Sequence, residues 1–337
     1  MALGEIIDVG QIPYLSKADL AGRFICSLSF YDAGAWHTWA PIEGPGQKVI
    51  EIQAWPAEAF YFGKIPESPN DIFSGFLTFV AQRANLSGFH APFSAIQDDI
   101  FNLSAALAKL DLIFAAADTV KSGANRTAAT EVEYILLVCR SVFDLLQEML
   151  AKLWGAIVPT DPTKKKRALK KTFSDITLYD NKLRSATQIA EQYALPAIVA
   201  ECYARHAPIF LKIRQFRNSL VHHGHRVQTI FRGEEGFLIQ KRLGPFLNLD
   251  IWRDDEVQQN DLVPLLPVLA MVVHGTLAAC EDFADTLMRC IQFAGPIVPD
   301  MNLYMRGYFN EALLATLADA NGRLAEGRRL VSDQSAG

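Results

Sequence analysis

Three side chains in the segment 209–224, IFLKIRQFRNSLVHHG, have the types and spacing to move a proton beside a phosphate: Arg217, Asn218 and His222. Arg217 offers a planar fork of donors that matches phosphate oxygens and stays charged. His222 carries an imidazole that titrates near neutrality and can serve as general acid or base. Cleavage of RNA by attack of a 2′-hydroxyl on the neighbouring phosphorus needs both functions, with Arg217 clamping the phosphate and His222 moving the proton. Asn218, four residues before His222, can orient the imidazole or donate a hydrogen bond to the substrate. This chemistry calls for no metal and no cofactor.

The element that positions these groups is a helix. Ile209, Ile213, Phe216 and Leu220 recur at a spacing that makes one apolar stripe at about 3.6 residues per turn. Arg214, Asn218 and His222 then fall on the opposite side, with Arg217 on the flank. Gly224 stands where a helix commonly ends, so His222 and His223 would lie in the last turn, where the helix dipole favours a cationic imidazole. A plainer role is open to the same residues: a basic helix end that complements the dipole and meets the terminal carbonyls.

The order R-N-x-x-x-H from Arg217 to His222 resembles the signature of the HEPN superfamily, compact helical domains whose Arg and His form an RNA-cleaving site. The resemblance covers about residues 95–293. It implies a helical bundle; with a β-hairpin insertion and a small β-containing N-terminal subdomain that the residue patterns outside the motif suggest, the expected fold class is mainly α, an HEPN-like helical bundle. It further implies a metal-independent endoribonuclease of the defence, toxin or RNA-processing type, with Arg217 and His222 catalytic and Asn218, Arg214 and His223 supporting. Arg140 and Asp144, on a preceding helix, resemble the groups that join the Arg and His in several such proteins; as an i, i+4 pair they also fit a simple intrahelical ion pair. The family pairs motif helices across a cleft, which implies a homodimer, and Leu211 on the otherwise polar side of the motif helix fits that. RNA, a nucleotide, and a cognate antitoxin or other partner protein are the partners implied. A noncatalytic HEPN-like module that holds a nucleotide or assembles with a protein is the second expectation.

Composition bounds the rest. A chain of 337 residues with 50% hydrophobic content can build a substantial core. Its start lacks a basic segment followed by an apolar run, and the apolar tract 262–273 is short for a bilayer and contains Pro264 and Pro267, so a cytoplasmic protein without a membrane anchor is expected. Cys26, Cys139, Cys202, Cys280 and Cys290 show no C-x-x-C pairing and read as free, mostly buried thiols. His222, His223 and His225 crowd together without the spacing of a metal site. The net charge of −5 argues against nonspecific nucleic-acid binding across the whole surface. Lys164, Lys165, Lys166, Arg167, Lys170 and Lys171 nevertheless fall within eight residues, at the expected start of a helix where the dipole disfavours cations. They fit an RNA-binding phosphate patch and a solvated loop equally.

The sequence divides into an N-terminal β-containing subdomain over 1–90, an HEPN-like helical domain over 91–295, a C-terminal helix over 296–330 and a disordered tail over 331–337. Strands are expected near 23–31 and 47–55. Phe30, Tyr31, Trp36, Trp39, Trp55, Phe60 and Tyr61 supply either a core or a base-stacking surface. Helices are expected near 94–121, 127–155, 164–173, 182–204, 206–224, 262–293 and 303–328. Gly233-Glu234-Glu235-Gly236, between two β-prone runs, predicts a hairpin that could wall one side of the site. His274 reads as a packed histidine.

Overall fold

The computed structural model describes all residues except 1, 21, 24–26, 43–46, 54–56, 87, 122, 161–165, 222–229, 243–245, 248 and 331–337; of 2, 3, 18 and 217–221 it describes the backbone alone. The first strands are β1 (Ala2–Asp8), β2 (Leu28–Asp32), β3 (Ala35–Pro41), β4 (Lys48–Gln53), β5 (Ala59–Gly63) and β6 (Ile72–Phe73). Helices α1 (Gly75–Gln82), α2 (His90–Ala115), α3 (Ala117–Val120), α4 (Gly123–Ala156) and α5 (Phe173–Thr177) follow. Next come β7 (Leu178–Tyr179), β8 (Lys182–Leu183), α6 (Ala186–Tyr193), α7 (Ala197–Val221), β9 (Phe231–Arg232), β10 (Phe237–Gln240) and β11 (Leu262–Pro264). The chain closes with α8 (Leu266–Cys290), β12 (Asn302–Arg306) and α9 (Asn310–Ala325). Two compact units divide it, Met1–Gln97 with Glu281–Asn310, and Asp98–Cys280 with Glu311–Gly337.

The first unit holds a seven-stranded sheet in the order β1-β4-β3-β2-β5-β12-β6, antiparallel except where β2 runs parallel to β5. Strands β2 and β3 are joined by Ala33 and Gly34 alone, both at positive φ (50° and 82°), the two-residue turn that suits the twist of a hairpin. Gly75 opens α1 with Glu281 against it: a Cβ there would come within 2.7 Å of Glu281 Oε2, while that carboxylate accepts from the Ser74 hydroxyl and the Phe76 N–H. The buried Gln82 side chain donates to the carbonyls of Val298 and Met301 and accepts from Val298 N–H, fixing the chain that leads into β12.

This sheet overturns the expected fold class. The protein is not mainly α with a small β subdomain but mixed, 54% helix and 18% strand, with two smaller sheets beside the large one. The physical reason is nonlocal pairing. Tyr304 of β12 lies opposite Tyr61 of β5, a partnership that local periodicity cannot reveal, and the run 302–306 is strand where a helix from 303 is expected. The helix begins only at Asn310, whose side-chain amide donates to the carbonyls of Asn70 and Met305. Phe30, Trp39 and Tyr61 are buried, Phe30 stacked on Tyr14 and edge-on to Trp39, so these three aromatics are core. Burial raises the Tyr61 hydroxyl above its usual range; it donates to Asp71 and accepts from Glu67 N–H. Tyr31, Trp36 and Phe60 are half-buried, and Trp55 lies outside the described residues.

The second unit is built on α4 and α7. The inward face of α4 carries Ile135, Val138, Val142, Leu146, Met149 and Leu153 at helical spacing, and the polar Gln147 is wholly buried too. Its amide donates to the Lys170 carbonyl, and its oxygen accepts from Tyr203, at 2.8 Å each. Phe143, Phe173 and Phe210 form an aromatic trio with centroids 4.9 to 5.4 Å apart. The expected break between 204 and 206 falls elsewhere. Ala194 takes a left-handed conformation (φ 54°) that ends α6, and Pro196 then caps the start of α7, accepting from Val199 and Ala200. Pro208 sits inside α7 without ending it.

Candidate functional site

Helix α7 carries the motif. Phe210, Ile213 and Phe216 are fully buried, so the stripe facing the core is one residue displaced from the expected one at its start. Ile209 is half-buried against Gly275, where a Cβ would stand 2.9 Å from Ile209 Cγ1. Arg214 is half-buried, and so is Leu211, the residue on which the homodimer expectation rests. Arg217 and Asn218 stand in the last described turn of α7; their side chains, and His222 and His223 entirely, lie outside the described residues.

Arg140 and Asp144 form the i, i+4 ion pair that their spacing allows, Nε to Oδ2 at 3.1 Å. The guanidinium also lies over the Phe210 ring, 4.1 Å from its centroid, so α4 presents this cation to α7. Phe210 precedes Arg217 by two turns, about 10 Å of helix. The structure thus brings Arg140 and Asp144 together on the motif helix but upstream of Arg217.

The basic cluster is placed elsewhere. Phe143 meets Phe210, and Gln147 four residues later meets Tyr203 seven residues earlier, so α4 and α7 run antiparallel. Lys166 donates to the carbonyls of Gly155 and Ile157 at the end of α4, and Arg167 to that of Gln192 at the end of α6. Both are helix-end caps. From Ala197, just past that α6 end, to Arg217 is about 30 Å of helix. Lys170 and Lys171 are exposed, while Lys164 and Lys165 lie outside the described residues. Residues 166–172 are not helical, against the helix expected over 164–173; a different, five-residue helix, α5, begins at Phe173, capped by Thr172, whose hydroxyl accepts from Asp175 N–H.

The expected hairpin is present and walls a cavity. Phe237 pairs with Arg232 and Leu238 with Phe231, and Gly233 N–H donates to Gly236 O at 2.8 Å, leaving Glu234 and Glu235 at the tip. The cavity measures about 940 Å³ and lies between this hairpin, α2, the start of α8 and α9. Arg232 reaches from it to Asp118, which it grips with two hydrogen bonds while covering the Phe114 ring. Arg323, 3% exposed, donates to Glu256 at 2.6 and 2.8 Å, to Asp319 at 2.8 Å and to the Ile251 carbonyl at 2.9 Å. Sequence patterns missed this concavity because its walls come from four separated stretches. They also missed Lys212, half-buried between Leu211 and Ile213, its amine held below its usual range by burial. His274 is the packed histidine expected, its Nε2 3.0 Å from Asn321 Oδ1 and its pKa lowered by burial.

No protein-family model matches the chain, and neither a curated protein nor a solved structure does. One helix among the described residues, α8, is long and apolar enough by length and composition to cross a membrane; most of its apolar window is buried within the protein, as in a core helix. Cys139, Cys202 and Cys280 are buried and Cys290 is exposed, none of them in a disulfide, and Cys26 lies outside the described residues.

Proposed function

We propose that this protein is a metal-independent endoribonuclease acting in the cytoplasm through Arg217 and His222. The reading rests on the R-N-x-x-x-H order and is supported by one observation: α7 runs unbroken past Pro208 through Val221, so the backbone of Arg217 and Asn218 belongs to one continuous helix, and His222 is the next residue in sequence after it. A phosphate clamp needs such a base, because a misplacement of about 1 Å costs on the order of a hundredfold in rate. In the reaction the 2′-oxygen forms a bond to phosphorus as the bond to the 5′-oxygen breaks; Arg217 holds the phosphoryl oxygens and His222 transfers a proton. The test is cleavage of a mixed single-stranded RNA in EDTA by wild type, His222→Ala and Arg217→Ala. Wild-type cleavage lost in both variants, with unchanged thermal unfolding, is the expected result; full activity in either variant sinks the assignment.

A noncatalytic binding module is the second reading, and the cavity of about 940 Å³ favours it. Its lining carries five carboxylates against two arginines, each arginine already paired, so a phosphate-bearing nucleotide does not suit it. A nucleotide would use the end of α7 instead. Stabilisation by nucleotide without RNA turnover is the outcome that selects this reading.

A further inference from the structure

We propose that the cavity walled by the β9–β10 hairpin, α2 and α8 binds a small amphipathic organic cation, with an apolar body of aromatic size and an ammonium or amidinium head. Its volume of about 940 Å³ lies at the upper end of small-molecule pockets. One part of the lining is apolar: Leu110, Phe114, Phe237, Leu238, Leu265 and Leu269, with Phe114 and Phe237 edge-to-face at 5.6 Å. Burying a hydrocarbon body there is favourable at about 25 cal/mol per Å² of apolar area removed from water.

Charge selects the head group. Arg323 is consumed by Glu256, Asp319 and a carbonyl, and Arg232 by Asp118, which does not line the cavity. Three lining carboxylates remain, those of Asp111, Glu234 and Glu235, and among the described residues no cation stands within ion-pairing distance of them. The hairpin fixes the backbone that carries two of them: Gly233 N–H closes on Gly236 O, and Gly233 leaves room for Leu238, whose Cδ1 would be 2.9 Å from any Cβ at that position. The surrounding protein raises the Asp111 carboxyl above its usual range by desolvation, a penalty that an incoming cation would relieve. An anion would meet a lining whose two arginines are already paired and whose net charge is negative, and a neutral ligand would gain nothing from the three exposed carboxylates.

The test is calorimetric titration of the full chain with 4-phenylbutylamine, 4-phenylbutanol and 4-phenylbutyrate, three probes with one body and different heads. Saturable binding of the amine, at least tenfold tighter than the alcohol, with no binding of the carboxylate, is expected. The triple variant Asp111→Asn, Glu234→Gln, Glu235→Gln, with an unchanged circular dichroism spectrum, should bind the amine about tenfold more weakly, the combined effect of three partly exposed ion pairs. Leu266→Trp adds bulk at a lining position that is 44% exposed, where the fold tolerates it, and should weaken the amine by at least tenfold too. No saturable heat at millimolar amine, equal binding of all three probes, or wild-type affinity in either variant would overturn the proposal. None of these results depends on RNA cleavage.

Discussion

Replacing Arg323 by Leu tests whether the charge arrangement beneath the cavity is understood. Arg323 is almost fully buried and satisfies two carboxylates and a main-chain carbonyl at 2.6 to 2.9 Å. Breaking a buried pair by removing one partner costs about 3–5 kcal/mol, because the remaining charge is left desolvated. Glu256 and Asp319 keep 18% and 27% side-chain exposure, and Arg253 remains 3.8 Å from Glu256, so the lower end, about 3 kcal/mol, applies here. Burial alone would raise the Glu256 carboxyl, but the hydrogen bonds from Arg323 outweigh it and hold the group below its ordinary value. A carboxyl with a depressed folded pKa contributes stability that is present above its unfolded value, about 4.3, and lost as pH falls through the folded value. The deficit of Arg323→Leu should therefore be full at pH 7 and smaller at pH 3.5. Urea unfolding followed by fluorescence reports on this unit through the buried Trp252, whose indole N–H donates to the Pro264 carbonyl at 2.9 Å. Adding Glu256→Gln and Asp319→Asn to the variant should return at least half of the loss at pH 7. A deficit under about 1 kcal/mol at pH 7, or an equal deficit at both pH values, refutes the reasoning.

Two further substitutions separate structural from functional polar groups. Gln147→Leu strands the Tyr203 hydroxyl and the Lys170 carbonyl and should cost about 2 kcal/mol in urea unfolding, part of which Tyr203→Phe in the same chain restores. The double variant Lys166→Ala, Arg167→Ala removes the caps of α4 and α6 and should lose about 1 kcal/mol of stability. Its RNA cleavage rate should stay within about threefold of wild type, less than 1 kcal/mol of barrier; a loss beyond tenfold would place these cations on the substrate.

What the sequence disclosed follows from the range over which each signal acts. The buried face of α4 and the β9–β10 hairpin are local: one is a 3.6-residue period, the other a glycine-flanked turn between β-prone runs. The large sheet is not local. Strand β12 is five residues long and finds its partner in β5 across most of the chain, so nothing near Tyr304 announces a strand. Gln147 shows the same limit within a helix, since a glutamine next to Glu148 reads as exposed until Tyr203 and Lys170 supply its partners. The chemistry divides likewise. The R-N-x-x-x-H order is a string of neighbouring residues that a sequence displays, and its chemistry stays a proposal, whereas the cavity is assembled from α2, the hairpin, the 256–269 stretch and α9, and no pattern in one dimension records it.

The run of lysines shows how composition can point to a surface that geometry redirects. Six cations in eight residues fit a phosphate patch or a solvated loop. Antiparallel packing of α4 and α7 puts two of them at the opposite end of the motif helix, where the C-terminal carbonyls of α4 and α6 need donors. Charge placed there complements two helix dipoles at once, so it is accounted for without any ligand. The carboxylates of the cavity present the converse case: with Arg232 and Arg323 already engaged, the exposed Asp111, Glu234 and Glu235 have no cation beside them among the described residues. In a chain of net charge −5, solubility accounts for exposed acids in general but not for three of them around one apolar concavity. That contrast directs attention to the hairpin for ligand binding and to the end of α7 for RNA.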